Sequence, residues 1–301
     1  MLLLLLLLAG PVLAQKSVNV TLDILNTKPP RHNNQVGTGQ TTDLTGFSGV
    51  PAGLTEKVLR THNTIRGQTS YEAFQRGEIT PASWEETKRM LGRDTAYLSP
   101  KPLRHRINAL VGTNVAGQRV VVVDANNNRD FSDDKVLTYA MTLPQIPKTE
   151  AGFYSNGIRA VVDTLPAVSV MVESFDGRRI IQRTVSVKPI PYNNGWTYPD
   201  PDAARFHLSL LTHEYRQATT RLLGQPVELV ITTIPGLPYN TGAAQVEVRE
   251  ADQPVTKLPI QGSYQPGYAF VVGGHLWEID RISARGDRLT LLDKGPVEPT
   301  R

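Results

Sequence analysis

The chain of 301 residues carries 32 Lys and Arg against 28 Asp and Glu, is 40% hydrophobic and contains no cysteine. This composition provides for a sizeable core and excludes disulfide staples, thiol nucleophiles and cysteine-ligated zinc. The slight basic excess is interspersed and forms no polybasic run, so nothing in the charge pattern points to nucleic acid or to a membrane surface.

Met1 is followed by an unbroken leucine run from Leu2 to Leu8, then by Pro11 and a Val12-x-Ala14 pattern. An apolar stretch ending in small residues is the layout of a secretory signal peptide, although no Lys or Arg precedes the leucines. Residues 1–14 are expected to be removed on export, leaving a periplasmic, cell-surface or secreted chain that begins near Gln15. The run is too short to span a bilayer, so no transmembrane segment is expected after cleavage.

The mature chain divides by texture into a mixed region over 15–100, a β-rich region over 101–195 and a second β-rich region over 196–301 that ends in a linker-like tail. In the first, residues 17–25 alternate apolar and polar and predict a strand. Residues 26–53, rich in Thr, Asn, Gly and Pro, predict irregular chain. A short helix is expected over 70–76 and a firmer one over 81–91. Thr80 can cap the latter, Pro81 suits its first position, Lys88 and Arg89 meet its negative end, and Gly92 fits the left-handed position beyond it.

After Leu103 come short β-branched runs separated by turn residues. Residues 107–112, 119–124 and 135–141 predict a three-stranded meander. Runs at 158–162, 168–174 and 179–187 follow, with Asn156-Gly157 and Asp176-Gly177 as hairpin signals. Four prolines between 188 and 202 suggest a boundary. Alternation resumes at Phe206, Leu208 and Leu210, and further runs lie at 227–231, 246–248, 268–272, 275–282 and 288–292. The fold class expected is mainly β, a sandwich or open barrel of antiparallel meanders, with a short helical segment near residues 70–91.

No reaction is legible. The histidines are His32, His62, His105, His207, His213 and His275; His213-Glu214 opens like a zinc-protease helix motif, but Gln217 stands where its second histidine belongs. His207 and His213 share an even strand spacing without a third ligand. There is no G-x-S-x-G elbow and no P-loop. Arg285-Gly286-Asp287 matches an adhesion tripeptide, and a tight turn explains the same three residues.

One constellation stands out: Asp124, Asn126, Asn128, Asp130 and Ser132 at alternating positions, followed by Asp133 and Asp134. Oxygen-bearing side chains at that spacing converge when the loop curls, and a hard cation such as Ca2+ takes six to eight oxygens. Phe131 occupies the place of an apolar anchor. The run departs from an EF-hand: Arg129 stands where glycine is expected, and Lys135 replaces the bidentate Glu, so Asp133 or Asp134 would supply the closing carboxylate. The competing reading is an Asn-rich hairpin whose side chains cap their own backbone. Against it, four carboxylates face a single guanidinium in eleven residues, a net charge of minus three that a simple turn has no reason to concentrate.

The run VVVDANNNRDFSDDKV, the preceding Leu110-Val-Gly112 and the ending GYAFVVGGHLWEIDRIS…LTLL resemble the β-rich amino-terminal region of bacterial envelope TlpA-like thiol-disulfide oxidoreductases. That resemblance implies a thioredoxin domain further along, but the chain has no C-x-x-C and none of the family's redox residues carries over. The residues favour an exported non-enzymatic accessory or binding module with a calcium-stabilised strand-loop-strand site, its partner an envelope protein or a glycan. The alternatives left open are the amino-terminal region of such an oxidoreductase without its catalytic domain, and a carbohydrate-active or other hydrolase with scattered acids.

Overall fold

The computed structural model describes residues 16–29, 34–141, 161–192, 205–250 and 264–297. The leucine run, the Asn156-Gly157 signal and most of the proline-rich segment lie outside the described residues. The chain is mainly β, as its alternation implies, and its strands form four antiparallel sheets packed as two sandwiches.

In the first sandwich one sheet has the order β4 (Gly39–Thr41), β5 (Leu54–Asn63), β6 (Arg106–Asn114), β7 (Arg119–Val123), β8 (Val136–Tyr139). It faces a sheet of β3 (Gln35–Gly37), β11 (Ser209–Thr212), β10 (Ile180–Ile190) and β9 (Val168–Phe175). Val111, Val121, Val170, Val185, Leu208 and Leu210 fill the space between them. The expected meander is present, with Val111 opposite Val121 and Val121 opposite Leu137.

The second sandwich pairs β1 (Ser17–Thr21), β17 (Arg288–Pro296), β16 (His275–Ile282) and β15 (Ala269–Val272) against β14 (Gln245–Glu250), β13 (Gln225–Thr232), β12 (Tyr215–Leu222) and β2 (Asp23–Leu25). Trp277, Ile279, Leu229 and Ile231 are buried at its centre. The strand expected over 17–25 is thus two strands, broken at Leu22, that serve opposite sheets. The sandwiches do not follow chain order, because β1 and β2 complete the one built from the last third of the chain.

Between β5 and β6 lie two helices, α1 (Arg66–Gln75) and α2 (Pro81–Leu91). α2 has the expected ends: the Thr80 hydroxyl accepts the Ser83 N–H at 3.2 Å, and Gly92 follows at φ +54°. Its buried Trp84 stacks on Phe74 and lies 5.2 Å from the Tyr71 ring. α1 begins four residues earlier than its apolar spacing predicts. Its inward residues there are polar: buried Gln68 accepts the Ser99 N–H and donates to the Ser99 carbonyl. No helix among the described residues is long and apolar enough to cross a membrane.

Two further expectations change. Residues 161–164 form a helical turn where the end of a strand was expected; its Val162 carbonyl accepts the Leu165 N–H, and the Lys188 ammonium donates to the carbonyls of Val162 and Asp163 at the end of the turn. His207 and His213 do not share a strand face; they stand beyond the two ends of β11.

The chain passes between the sandwiches at Glu214, which is 4% exposed. Its Oε2 accepts the Ser186 N–H of β10 at 2.9 Å, while its Oε1 takes Arg216 at 3.1 Å and the Tyr239 hydroxyl at 3.3 Å. Arg216 donates onward to the Arg285 carbonyl and lies 4.5 Å over the Tyr239 ring. Removing the charge of one partner from a buried pair typically costs about 3 to 5 kcal/mol. Glu214→Gln is therefore expected to lower the denaturation free energy by about that much in a urea titration, and a loss under about 1 kcal/mol, the range of exposed pairs, would contradict the role given to this carboxylate.

Candidate metal-binding loop

The central sheet of the first sandwich is covered on both faces, which is why β7 reads as an unbroken valine run. On its outer face Leu59, Leu110, Val120 and Val122 are covered by Leu44, Phe47, Val50, Leu54 and, fully buried, Phe131. Phe131 stacks on Phe47 with ring centres 5.5 Å apart. Apolar burial of this one side chain, worth about 2 to 3 kcal/mol, fixes the middle of the loop that joins β7 to β8.

Around that anchor the chain curls through two left-handed residues, Asn127 at φ +59° and Arg129 at φ +67°. Asparagine tolerates this conformation; arginine does so at some strain. Arg129 thus adopts the conformation for which glycine was expected, and its guanidinium lies over the Phe47 ring at 5.9 Å. The Asn127 amide is shared among the carbonyls of Arg104, Arg106 and Met171, fastening the loop to the sheets beneath. Ser48 forms a short parallel bridge, accepting the Phe131 N–H and donating to the Arg129 carbonyl. Beside it Gly49, at φ +66°, has no room for a side chain: a Cβ would stand 2.0 Å from Asp130 Oδ1 and 2.3 Å from the Ser132 nitrogen.

Hydrogen bonds run round the loop through the predicted ligand residues: Asn126 Oδ1 accepts the Asn128 N–H at 3.1 Å and Asn128 Oδ1 the Asp130 N–H at 2.7 Å. Asp124, 1% exposed, accepts the N–H groups of Asn128 at 2.9 Å and Arg129 at 3.1 Å. Asn126 and Asn128 both donate to Asp133 Oδ2, at 2.8 and 3.1 Å. Asp134 Oδ1 accepts the Ala125 N–H at 3.0 Å, whereas its Oδ2 is shielded from solvent and has no hydrogen-bond partner. Asp130 in turn accepts the Ser132 N–H and caps the 3-10 turn Phe131–Asp133.

The electrostatics follow the geometry. Burial, opposed by its backbone hydrogen bonds, raises the Asp124 carboxyl above the ordinary range. Asp134 is pushed up to about 6, first by burial and then by the charges of Asp124, Asp133 and Asp130. Asp130, capped by the Ser132 N–H, is lowered. Among the described residues no three carboxylate or histidine side chains stand close enough together to enclose a cation by themselves. A metal here would draw on Asn oxygens as well, and each ligand carboxylate keeps free lone pairs for it. His207 is held neutral by burial, with its pKa lowered to about 4, and among the described residues neither it nor His213 belongs to a group of three such side chains that could hold a metal.

Spacing singled out Asp124, Asn126, Asn128, Asp130, Ser132, Asp133 and Asp134, but gave no sign of what holds the loop in place. Asn127 was legible only as one of three asparagines, and Ser48-Gly49 lie some eighty residues away with no local sign of the contact. No known protein family's model matches the chain, and no curated protein or solved structure is significantly similar to it.

The raised pKa of Asp134 means that the native state holds this proton more tightly than the unfolded chain does. Its stabilising contribution is present below about pH 4 and is lost as pH rises through about 6. Asp134→Asn keeps the acceptor for Ala125 and places an amide beside the carboxylates. In chelator at pH 8 the variant is expected to be more stable than wild type by up to about 1 kcal/mol, since the site is partly exposed, with the gap closing at pH 4. Equal stabilities at pH 8 in urea titrations would contradict the like-charge cost.

Proposed function

We propose that the chain is an exported, non-enzymatic binding module in which Ca2+ held by the 124–134 loop fixes a strand-loop-strand unit. The observation that carries this reading is Asp134 Oδ2, a shielded carboxylate oxygen without a hydrogen-bond donor that feels the negative charges of Asp124, Asp133 and Asp130. Buried anionic oxygens need a counter-charge, and within the loop the sole guanidinium is turned onto Phe47.

Asp124, Asn126 and Asn128 would supply the first ligands, with Asp133 or Asp134 closing the site and the two amides moderating anion repulsion. Ca2+ suits such an oxygen-rich, many-ligand loop better than Mg2+, which prefers fewer protein ligands and more water. The bound ion would neutralise repulsion that folding creates and tie β7 to β8. It has no proposed catalytic part. The leucine run and the Val12-x-Ala14 pattern support the export half of the proposal.

For an affinity near the weak range of extracellular modules, about 0.1 mM, Ca2+ at about 1 mM stabilises the native state by about 1.4 kcal/mol. The melting temperature should rise by a few degrees and fall back on adding chelator. Asp124→Ala and Asp134→Asn should abolish the increment; Ala125→Ser should retain it. Lys135→Glu reads the register, since tighter binding would mean closure at that position in place of Asp133 or Asp134. No calorimetric heat and no thermal shift at about 10 mM Ca2+, well above that range, would return the loop to an Asn-rich hairpin.

A further inference from the structure

At the junction of the two sandwiches a half-open cleft of about 900 Å³ gathers arginines that are scattered along the sequence. Arg178 and Arg179 come from the turn between β9 and β10; Arg281, Arg285 and Arg288 come from β16, β17 and the turn between them. Against these five guanidiniums the lining offers two carboxylates, Asp176 and Asp287. Asp176 is committed to its own turn, accepting the N–H groups of Arg178 and Arg179 and pairing with the Arg179 guanidinium at 3.7 Å; Asp287 accepts the Ser283 hydroxyl, and outside the lining Asp280 pairs with Arg281 at 3.6 Å, which leaves Arg178, Arg285 and Arg288 to face a ligand.

The cleft is a built feature. The 283–288 turn is pinned from beneath: Arg216 donates to the Arg285 carbonyl, Tyr239 donates its N–H to the Ala284 carbonyl, and a Cβ on Gly286, at φ +76°, would stand 2.7 Å from the Tyr239 ring. The Arg285 guanidinium reaches across to the Gln182 carbonyl of β10, so the two walls meet there. Arg178 and Arg288 are exposed.

Two neutral lining groups narrow the ligand class. Asn240 is 6% exposed and its side-chain oxygen has no hydrogen-bond partner, an acceptor that calls for a hydroxyl donor. Tyr97 adds a half-buried aromatic ring. Guanidinium forks bind carboxylate or sulfate in two-point fashion, and the ring and the unmatched acceptor suit a hydroxylated sugar. A nucleic-acid strand needs several stacking platforms along a continuous basic track, whereas this lining has one aromatic ring and two acids. We infer that this cleft binds an acidic oligosaccharide, one carrying carboxylate or sulfate groups. The inference rests on the binding-module reading, but the cleft shares no lining residue with the calcium loop.

The test is calorimetric titration of the whole protein with an oligogalacturonate, a heparin fragment, a neutral cello-oligosaccharide and a thymidine oligonucleotide, each with calcium and again with chelator. Binding of the galacturonate would assign carboxylate chemistry, and of the heparin fragment sulfate chemistry. The neutral sugar and the oligonucleotide should bind about tenfold more weakly or not at all, and R178A/R288A should weaken the acidic ligand about tenfold or more. Both arginines are exposed, so the variant should melt like wild type. Binding that persists in chelator supports the cleft even if the calcium reading fails. No binding by either acidic sugar, equal binding of the oligonucleotide, or unchanged binding by R178A/R288A would overturn the inference.

Discussion

The structure depends on how it compensates charge taken out of water. A buried carboxylate is tolerated only beside a counter-charge or a full set of donors. Glu214 receives both from the chain itself: the Ser186 N–H, the Tyr239 hydroxyl and the Arg216 guanidinium. Because those three donors belong to different sandwiches, satisfying one carboxylate also fixes where β10, β12 and the loop after β13 meet. The same network supports the 283–288 turn, and with it one wall of the arginine cleft. Packing within each sandwich is apolar and non-directional; the junction owes its register to these polar bonds.

The 124–134 loop meets the same constraint without an internal solution. Phe131 and the left-handed residues Asn127 and Arg129 hold the chain in a curl that buries Asp124 and half-buries Asp134 within reach of its charge. The asparagine amides satisfy Asp133, and backbone N–H groups satisfy Asp124, but Asp134 keeps an oxygen with neither donor nor counter-charge. The apolar anchor holds the strained backbone in place, and the proposed cation would complement what remains.

Local pattern made much of this legible. Short β-branched runs between turn residues located β6, β7, β8 and β16, and the Thr80-Pro81 start with its Gly92 end defined α2, because in each case the determinants are neighbours in sequence. The oxygen spacing of the loop was legible for the same reason. What escaped the sequence is long-range. The burial of β7 on both faces comes from residues 44–54, the helical turn at 161–164 takes its carbonyl partners from Lys188, and α1 buries Gln68 where an apolar residue would have announced it. Five arginines spread over more than a hundred residues give no local charge run, yet two turns from different sandwiches bring them to one cleft.

The central claim is that the 124–134 loop uses a cation as the counter-charge the chain does not provide. The most direct measurement is diffraction from crystals grown in millimolar calcium, collected at a wavelength where calcium scatters anomalously. The account predicts one anomalous peak bounded by oxygens of Asp124, Asn126, Asn128 and either Asp133 or Asp134, with the Asn126 and Asn128 amides no longer donating to Asp133. A loop without a peak, its two asparagine bonds to Asp133 intact and Asp134 paired instead to another part of the chain, would contradict it.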